Sequence, residues 1–84
     1  GPRMPKIFEW QGYRFYFYSN EGNPREPVHI HVRKGRDTAK FWIRPKISVA
    51  YNRGFSSNVL SQLIAVIEAR GDEIERQGHD FFST

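Results

Sequence analysis

Apolar and polar residues alternate through most of the first half of the chain. The alternation is sharpest in Pro27-Val28-His29-Ile30-His31-Val32-Arg33. There Val28, Ile30 and Val32 fall on one face of a strand, and His29, His31 and Arg33 on the other. The two histidines point the same way, about 7 Å apart along the strand. One face suits burial and the other suits contact. The same period predicts strands before it. Lys6 to Trp10 is the first, Gln11-Gly12 a two-residue hairpin link, and Tyr13 to Tyr18 the second. Pairing Trp10 with Tyr13 sets Phe8 opposite Phe15. Trp10, Phe8, Tyr13, Phe15 and Phe17 then share one face. Ile7, Glu9, Arg14, Tyr16 and Tyr18 share the other, where Glu9 is expected to pair with Arg14.

Ser19 to Pro27 carries the turn residues Asn, Gly and Pro and reads as a loop that is long for its setting. After the histidine strand, Lys34-Gly35-Arg36-Asp37 is a turn and Thr38 to Arg44 the next strand. With Arg33 opposite Thr38, His31 faces Lys40 and His29 faces Trp42. Ala39, Phe41 and Ile43 join the apolar face, and Thr38, Lys40, Trp42 and Arg44 the polar one. Past Pro45-Lys46, Ile47 to Tyr51 reads as an edge strand and Asn52 to Phe55 as a turn.

The period then changes from 2 to 3.6. Ser56 or Ser57 caps a helix, with Phe55 as its hydrophobic staple. The helix is expected from about Ser57 to Asp80, with Leu60, Leu63, Ile64, Ile67, Ile74 and Phe81 on its apolar stripe. Gly71 and Gly78 fall on that stripe. Either the helix bends or ends near Gly71, or something packs very close there. The expected fold is α+β, a mainly antiparallel sheet of four or five strands packed against one long C-terminal helix.

The 84 residues make a single domain, read as Met4 to Thr84 with Gly1-Pro2-Arg3 as a vector remnant. There is no cysteine, which removes disulfides and cysteine-based zinc sites and agrees with a reducing, cytoplasmic setting. No apolar run approaches the roughly 20 residues that span a bilayer, so no membrane role is expected. A net charge of +4 with abundant Phe and Tyr suits nucleic acid, although rings also fill the core of a short chain.

The polar face is where chemistry is expected. It collects His29, His31, Arg33, Lys40, Trp42 and Arg44, with Arg14, Tyr16 and Tyr18 if both hairpins share one sheet. Metal-free RNA cleavage needs a base, an acid and a cation for the charged phosphorane. His29 and His31 suit the first two roles, because imidazole titrates near neutrality. Lys40 opposite His31 favours the neutral imidazole that a base requires. Arg33 and Lys40 suit the phosphate, and Tyr16 or Trp42 can stack a base.

Three other readings stay open. His-x-His can present two imidazoles to a metal, with a third ligand from Glu21, Glu26 or His79. The neighbouring Arg33 and Lys40 oppose a divalent ion, so no metal or other cofactor is expected. Arg14, Arg33, Lys40 and Arg44 among Tyr16, Tyr18 and Trp42 can also hold phosphates and bases, or a protein, with no chemistry. Or the histidines simply pack against rings and the long loop. The helix past Gly71, with Ile74, Phe81 and Phe82, is the candidate surface for a homodimer or a partner.

Several motifs occur together and in order: Tyr13-Arg14-Phe15-Tyr16-Phe17-Tyr18-Ser19-Asn20-Glu21, Pro27-x-His29-x-His31-Val32-Arg33-Lys34-Gly35, Ala39-Lys40-Phe41-Trp42 and Gly54-Phe55-Ser56. With these the chain resembles the small bacterial domain-of-unknown-function family numbered 4160, from Met4 to Phe82. The chain departs from the family pattern in extra residues at Gly22 to Glu26 and in Gly71 and Gly78. The resemblance implies a small cytoplasmic protein with a small cognate protein partner, in a toxin–antitoxin-like pair, with an RNA-directed activity. It implies no particular catalytic residue.

Overall fold

In a computed structural model, residues 6–18 and 29–82 are described, with side chains for 6–17 and 29–78. Five strands come first: β1 (Lys6–Trp10), β2 (Tyr13–Tyr18), β3 (His29–Lys34), β4 (Asp37–Trp42) and β5 (Ser48–Arg53). Two helices follow, α1 (Ser57–Ala69) and α2 (Gly71–Phe82). Every strand pairs antiparallel with its neighbour in sequence, giving one sheet in the order β1-β2-β3-β4-β5. The loop before β3, with Pro27 and Val28 of the histidine stretch, lies outside the described residues.

The hairpin registers follow the alternation. Gln11 and Gly12 both take positive φ, 48° and 82°, as a two-residue hairpin turn requires. Trp10 pairs with Tyr13 and Phe8 with Phe15, with the second pair of rings 4.6 Å apart. Arg33 pairs with Thr38, His31 with Lys40 and His29 with Trp42, as expected. Both hairpins join one sheet through β2 and β3, where Tyr16 pairs with His31.

Two bulges break the simple alternation at the outer strands. In β1 the register shifts between Lys6 and Phe8, and Lys6 pairs with Tyr16. Ile7 becomes the extra residue and is buried beside Phe8, not on the polar face expected for it. In β5 the register shifts opposite Lys40 and Phe41, so that Tyr51 pairs with Lys40 and Val49 with Phe41. The ladder also continues past Tyr51 to Asn52 and Arg53, which the sequence reading placed in a turn.

The apolar face holds the core. Phe15, Ile30, Val32, Ala39 and Phe41 are fully buried under Leu63 and Ile67 of α1 and Ile74 of α2. Burying a side chain of this size contributes about 1.5–3 kcal/mol. Phe55 is buried just before the cap, its ring 5.7 Å from that of Tyr13. Asn52 holds it in place. Its side-chain amide donates to the Phe55 carbonyl at 3.0 Å, and its Oδ1 accepts from the Phe55 N–H at 3.2 Å. Ser56 then caps α1, its Oγ accepting from the Val59 N–H at 3.2 Å.

The single long helix is corrected to two. Arg70 leaves helical geometry at φ −106°, ψ 22°, and α2 begins at Gly71. A straight helix of that span would run about 36 Å, while five strands side by side cover only about 20 Å. The break keeps the second helix on the sheet. There Ile74 is buried, and Gln77 Nε2 donates to the Ile7 carbonyl at 3.4 Å. The two stripe glycines differ in kind. A Cβ on Gly71 would meet nothing within 4 Å, whereas one on Gly78 would stand 3.3 Å from the Phe17 ring. Gly71 thus marks the helix break, and Gly78 the close approach.

Gly54 is the glycine whose backbone the fold depends on. Its φ is +104°, and a Cβ there would collide with the Asp37 carboxylate. Gly54→Ala is expected to lower stability by about 1–3 kcal/mol. Gly71→Ala is expected to raise it by about 0.4–1 kcal/mol. Urea unfolding of the two variants beside the parent checks both signs.

Candidate functional site

On the face away from the helices, pairing across the sheet lines the polar side chains into rows. Directly paired residues share a face, with Cβ atoms about 4.5–5.5 Å apart. The first row runs Glu9, Arg14, Arg33, Thr38, Arg53 from β1 to β5. The second runs Lys6, Tyr16, His31, Lys40, Tyr51. The third runs His29, Trp42, Ser48 from β3 to β5. Arg14, Tyr16, His31, Arg33 and Lys40 therefore come together as expected. Tyr51 and Arg53 join them, although neither was a candidate. Tyr51 and Val49 have the same parity, and only the β5 bulge puts them on opposite faces. The run Tyr51-Asn52-Arg53, ending at Gly54, was the available hint that the strand continues.

Among the described residues, the arginines of the first row have no ion-pair partner. Arg14 and Arg33 are directly opposite and both exposed, an arrangement of like charges that destabilises a sheet. Glu9 stands opposite Arg14 but is held by Lys6, with Nζ to Oε1 at 3.0 Å. The hydrogen bond and charge of Lys6 hold the Glu9 carboxyl below its ordinary pKa, and Arg14 contributes least. The expected Glu9–Arg14 pair is thus replaced by Lys6–Glu9. Residues three apart in a regular strand point to opposite faces, and the bulge at Ile7 brings these two to one face. Among the described residues the remaining ion pairs are Arg44–Glu75 and Arg70–Glu73, and none involves Arg14, Arg33 or Arg53. Arg14, Tyr16, Arg33 and Gly35 line a cleft of about 170 Å³.

The two histidines part company. His31 is half-buried in the second row, and its Nε2 shares a hydrogen bond with Thr38 Oγ1. Burial first, then the charges of Arg33, Lys40 and His29, push its pKa below the ordinary imidazole value. The shift favours the neutral imidazole, with burial contributing more than the Lys40 charge. His29 is only 1% exposed, with the Trp42 ring edge-on at 5.2 Å. The expectation of two histidines on one open face is corrected to one. Trp42, paired with His29, is half-buried.

Arg44 also leaves the expected site. β4 ends at Trp42, shortly before Pro45, which has no N–H for a ladder. The Arg44 guanidinium instead meets Glu75 of α2 at 3.2 Å. It rims an apolar groove of about 590 Å³ on the helix side, lined by Phe17, Ile43, Ile47, Ile67 and Ile74. Of the helical residues expected to form a partner surface, Ile74 is buried here, and the side chains of Phe81 and Phe82 lie outside the described residues. No group of three His, Asp or Glu among the described residues is placed to hold a metal. Glu21, Glu26 and the side chains of His79 and Tyr18 lie outside them. No helix among the described residues is long and apolar enough to cross a membrane.

A family model described as a domain of unknown function, DUF4160, matches residues 12–77, which is most of the chain. No curated protein and no solved structure matches it.

The depressed pKa of His31 sets a sign for stability against pH. The unfolded chain takes up this proton first as pH falls, so stability rises with pH across the window. The contribution is complete above the unfolded value near 6.5 and is lost as pH drops through the lower folded value. The parent is expected to lose more stability between pH 8 and pH 5 than His31→Gln does, measured by urea unfolding at each pH.

Proposed function

The chain belongs to the DUF4160 family, and we propose that it binds RNA through the polar face of its sheet. The observation that carries this reading is Arg14 directly opposite Arg33, both exposed, over a small cleft. Like charges so placed cost stability in the empty protein. A phosphate between them turns that cost into charge-assisted hydrogen bonds, and guanidinium suits phosphate geometry. Tyr16, in the next row and lining the same cleft, supports RNA over a simple anion, because a ring can stack an unpaired base.

Binding is favoured over cleavage. An acid–base pair needs two groups that reach the substrate, and His29 is buried, with the Trp42 ring edge-on beside it. In a cleavage reading, His31 is the base and Lys40 and Arg33 hold the phosphate, while among the described residues no second imidazole on the face is exposed. Within a toxin–antitoxin-like pair in the cytoplasm, this face makes the chain the RNA-contacting component, and its small protein partner binds elsewhere.

Binding of a labelled RNA oligonucleotide, followed by fluorescence anisotropy over a salt series, tests the proposal. Arg14→Ala and Arg33→Ala are each expected to weaken binding about 10–100-fold and to flatten the salt slope by about 1. Arg76→Ala, on α2, is expected to change neither. RNA binding that ignores salt, or that survives both substitutions, would overturn the reading. Incubating the same RNA with the parent and with His31→Ala is expected to yield no product from either. A product that appears only with the parent would shift the conclusion to cleavage.

A further inference from the structure

We infer that β5 completes the same face as a track for single-stranded RNA, with Arg53 as a third phosphate contact and Tyr51 as a second stacking ring. This rests on the RNA-binding reading above and extends it to residues outside the Arg14–Arg33 cleft.

Three observations support the track. The first is the β5 bulge. Tyr51 pairs with Lys40 and Arg53 with Thr38, while Val49 pairs with Phe41 of the core face. A regular strand would have placed Tyr51 and Arg53 on the Val49 side. The bulge brings both onto the polar face, and bulges commonly re-aim side chains near functional sites. The second is exposure. Tyr51 is 47% exposed, an aromatic ring standing in solvent on an edge strand, and no residue of the core claims it. The third is the order within the rows. Arginine appears on β2, β3 and β5 in one row, and tyrosine on β2 and β5 in the next, with His31 and Lys40 between the rings.

The two rows lie about 7 Å apart along the strands, and β2 and β5 about 14 Å apart across them. A nucleic-acid strand crossing the sheet from β2 to β5 meets a line of cations with one edge and a line of rings with the other. A single strand can use both, because its bases are free to splay onto the rings. A duplex keeps its bases stacked internally and offers only phosphates to the arginine row. The ring row therefore makes the face selective for single strands.

The test compares one labelled ten-nucleotide RNA, alone and annealed to its complement, on the parent, Tyr51→Ala, Tyr51→Phe and Arg53→Ala. The parent is expected to bind the single strand at least tenfold more tightly than the duplex. Tyr51→Ala is expected to weaken single-strand binding about 5–100-fold, the range for loss of one stacked base. Tyr51→Phe keeps the ring and is expected to bind as the parent does. Arg53→Ala is expected to weaken binding and lower the salt slope. Both positions are exposed, and circular dichroism of each variant checks that the fold persists. Equal affinity for both RNAs, with Tyr51→Ala matching the parent, would overturn the track while leaving an Arg14- and Arg33-dependent site. Absence of any RNA binding by the parent would overturn both readings together.

Discussion

The structure depends on burying one face of a sheet and leaving the other open. Phe15 of β2, Ile30 and Val32 of β3, and Ala39 and Phe41 of β4 are all fully buried beneath the helices. In these strands each buried residue is flanked by polar neighbours, so a slip of one position would exchange the two faces. Burial therefore sets register, and register sets which polar groups meet. Arg14 faces Arg33 because Phe15 must face Val32. The concentration of charge on one surface follows from the concentration of rings on the other.

The outer strands add a correction to that rule. β1 and β5 are the sheet's edges, where an irregular ladder disturbs fewest neighbours. At Ile7 the bulge adds a second apolar side chain to the core and brings Lys6 beside Glu9. Glu9 stands opposite Arg14 in the register, and its ion pair with Lys6 draws its charge away from the arginines. At β5 the bulge adds a ring and a guanidinium to the open face. Both irregularities thus shape the surface charge, one by removing an anion and the other by adding a cation.

The sequence showed the local pairings clearly. The Trp10–Tyr13 and Arg33–Thr38 hairpins could be read from turn residues and period-2 alternation, because both signals lie within a few residues of the contacts they set. The bulges were not legible in this way, since an extra residue changes face without changing composition. The adjacent pair Ile7-Phe8 was the trace left in β1. The stripe of α1 and α2 also ran on past the break, because positions seven apart stay nearly in line, and only Gly71 hinted at a stop. Face assignment put His29 correctly among polar neighbours but did not reveal how deeply it lies. Depth depends on contacts from other segments, which alternation within one strand does not encode; one of them is the edge-on Trp42 ring a strand away. Arg44 was misplaced for a related reason, because the partner that draws it aside, Glu75, belongs to a helix thirty-one residues later.

The sequential order of the strands has a kinetic consequence. Each strand pairs with the one made just before it, so no ladder has to wait for a distant segment to arrive. Such contacts close short loops, and chains built from them fold quickly for their class. α2 is the exception. It must travel back to the first strand, where Gln77 reaches Ile7 across seventy positions. The meander can assemble as hairpins from local contacts, whereas docking α2 on β1 closes the longest of these loops. α2 and β1 thus meet on the carbonyl of the bulged residue that brings Lys6 beside Glu9.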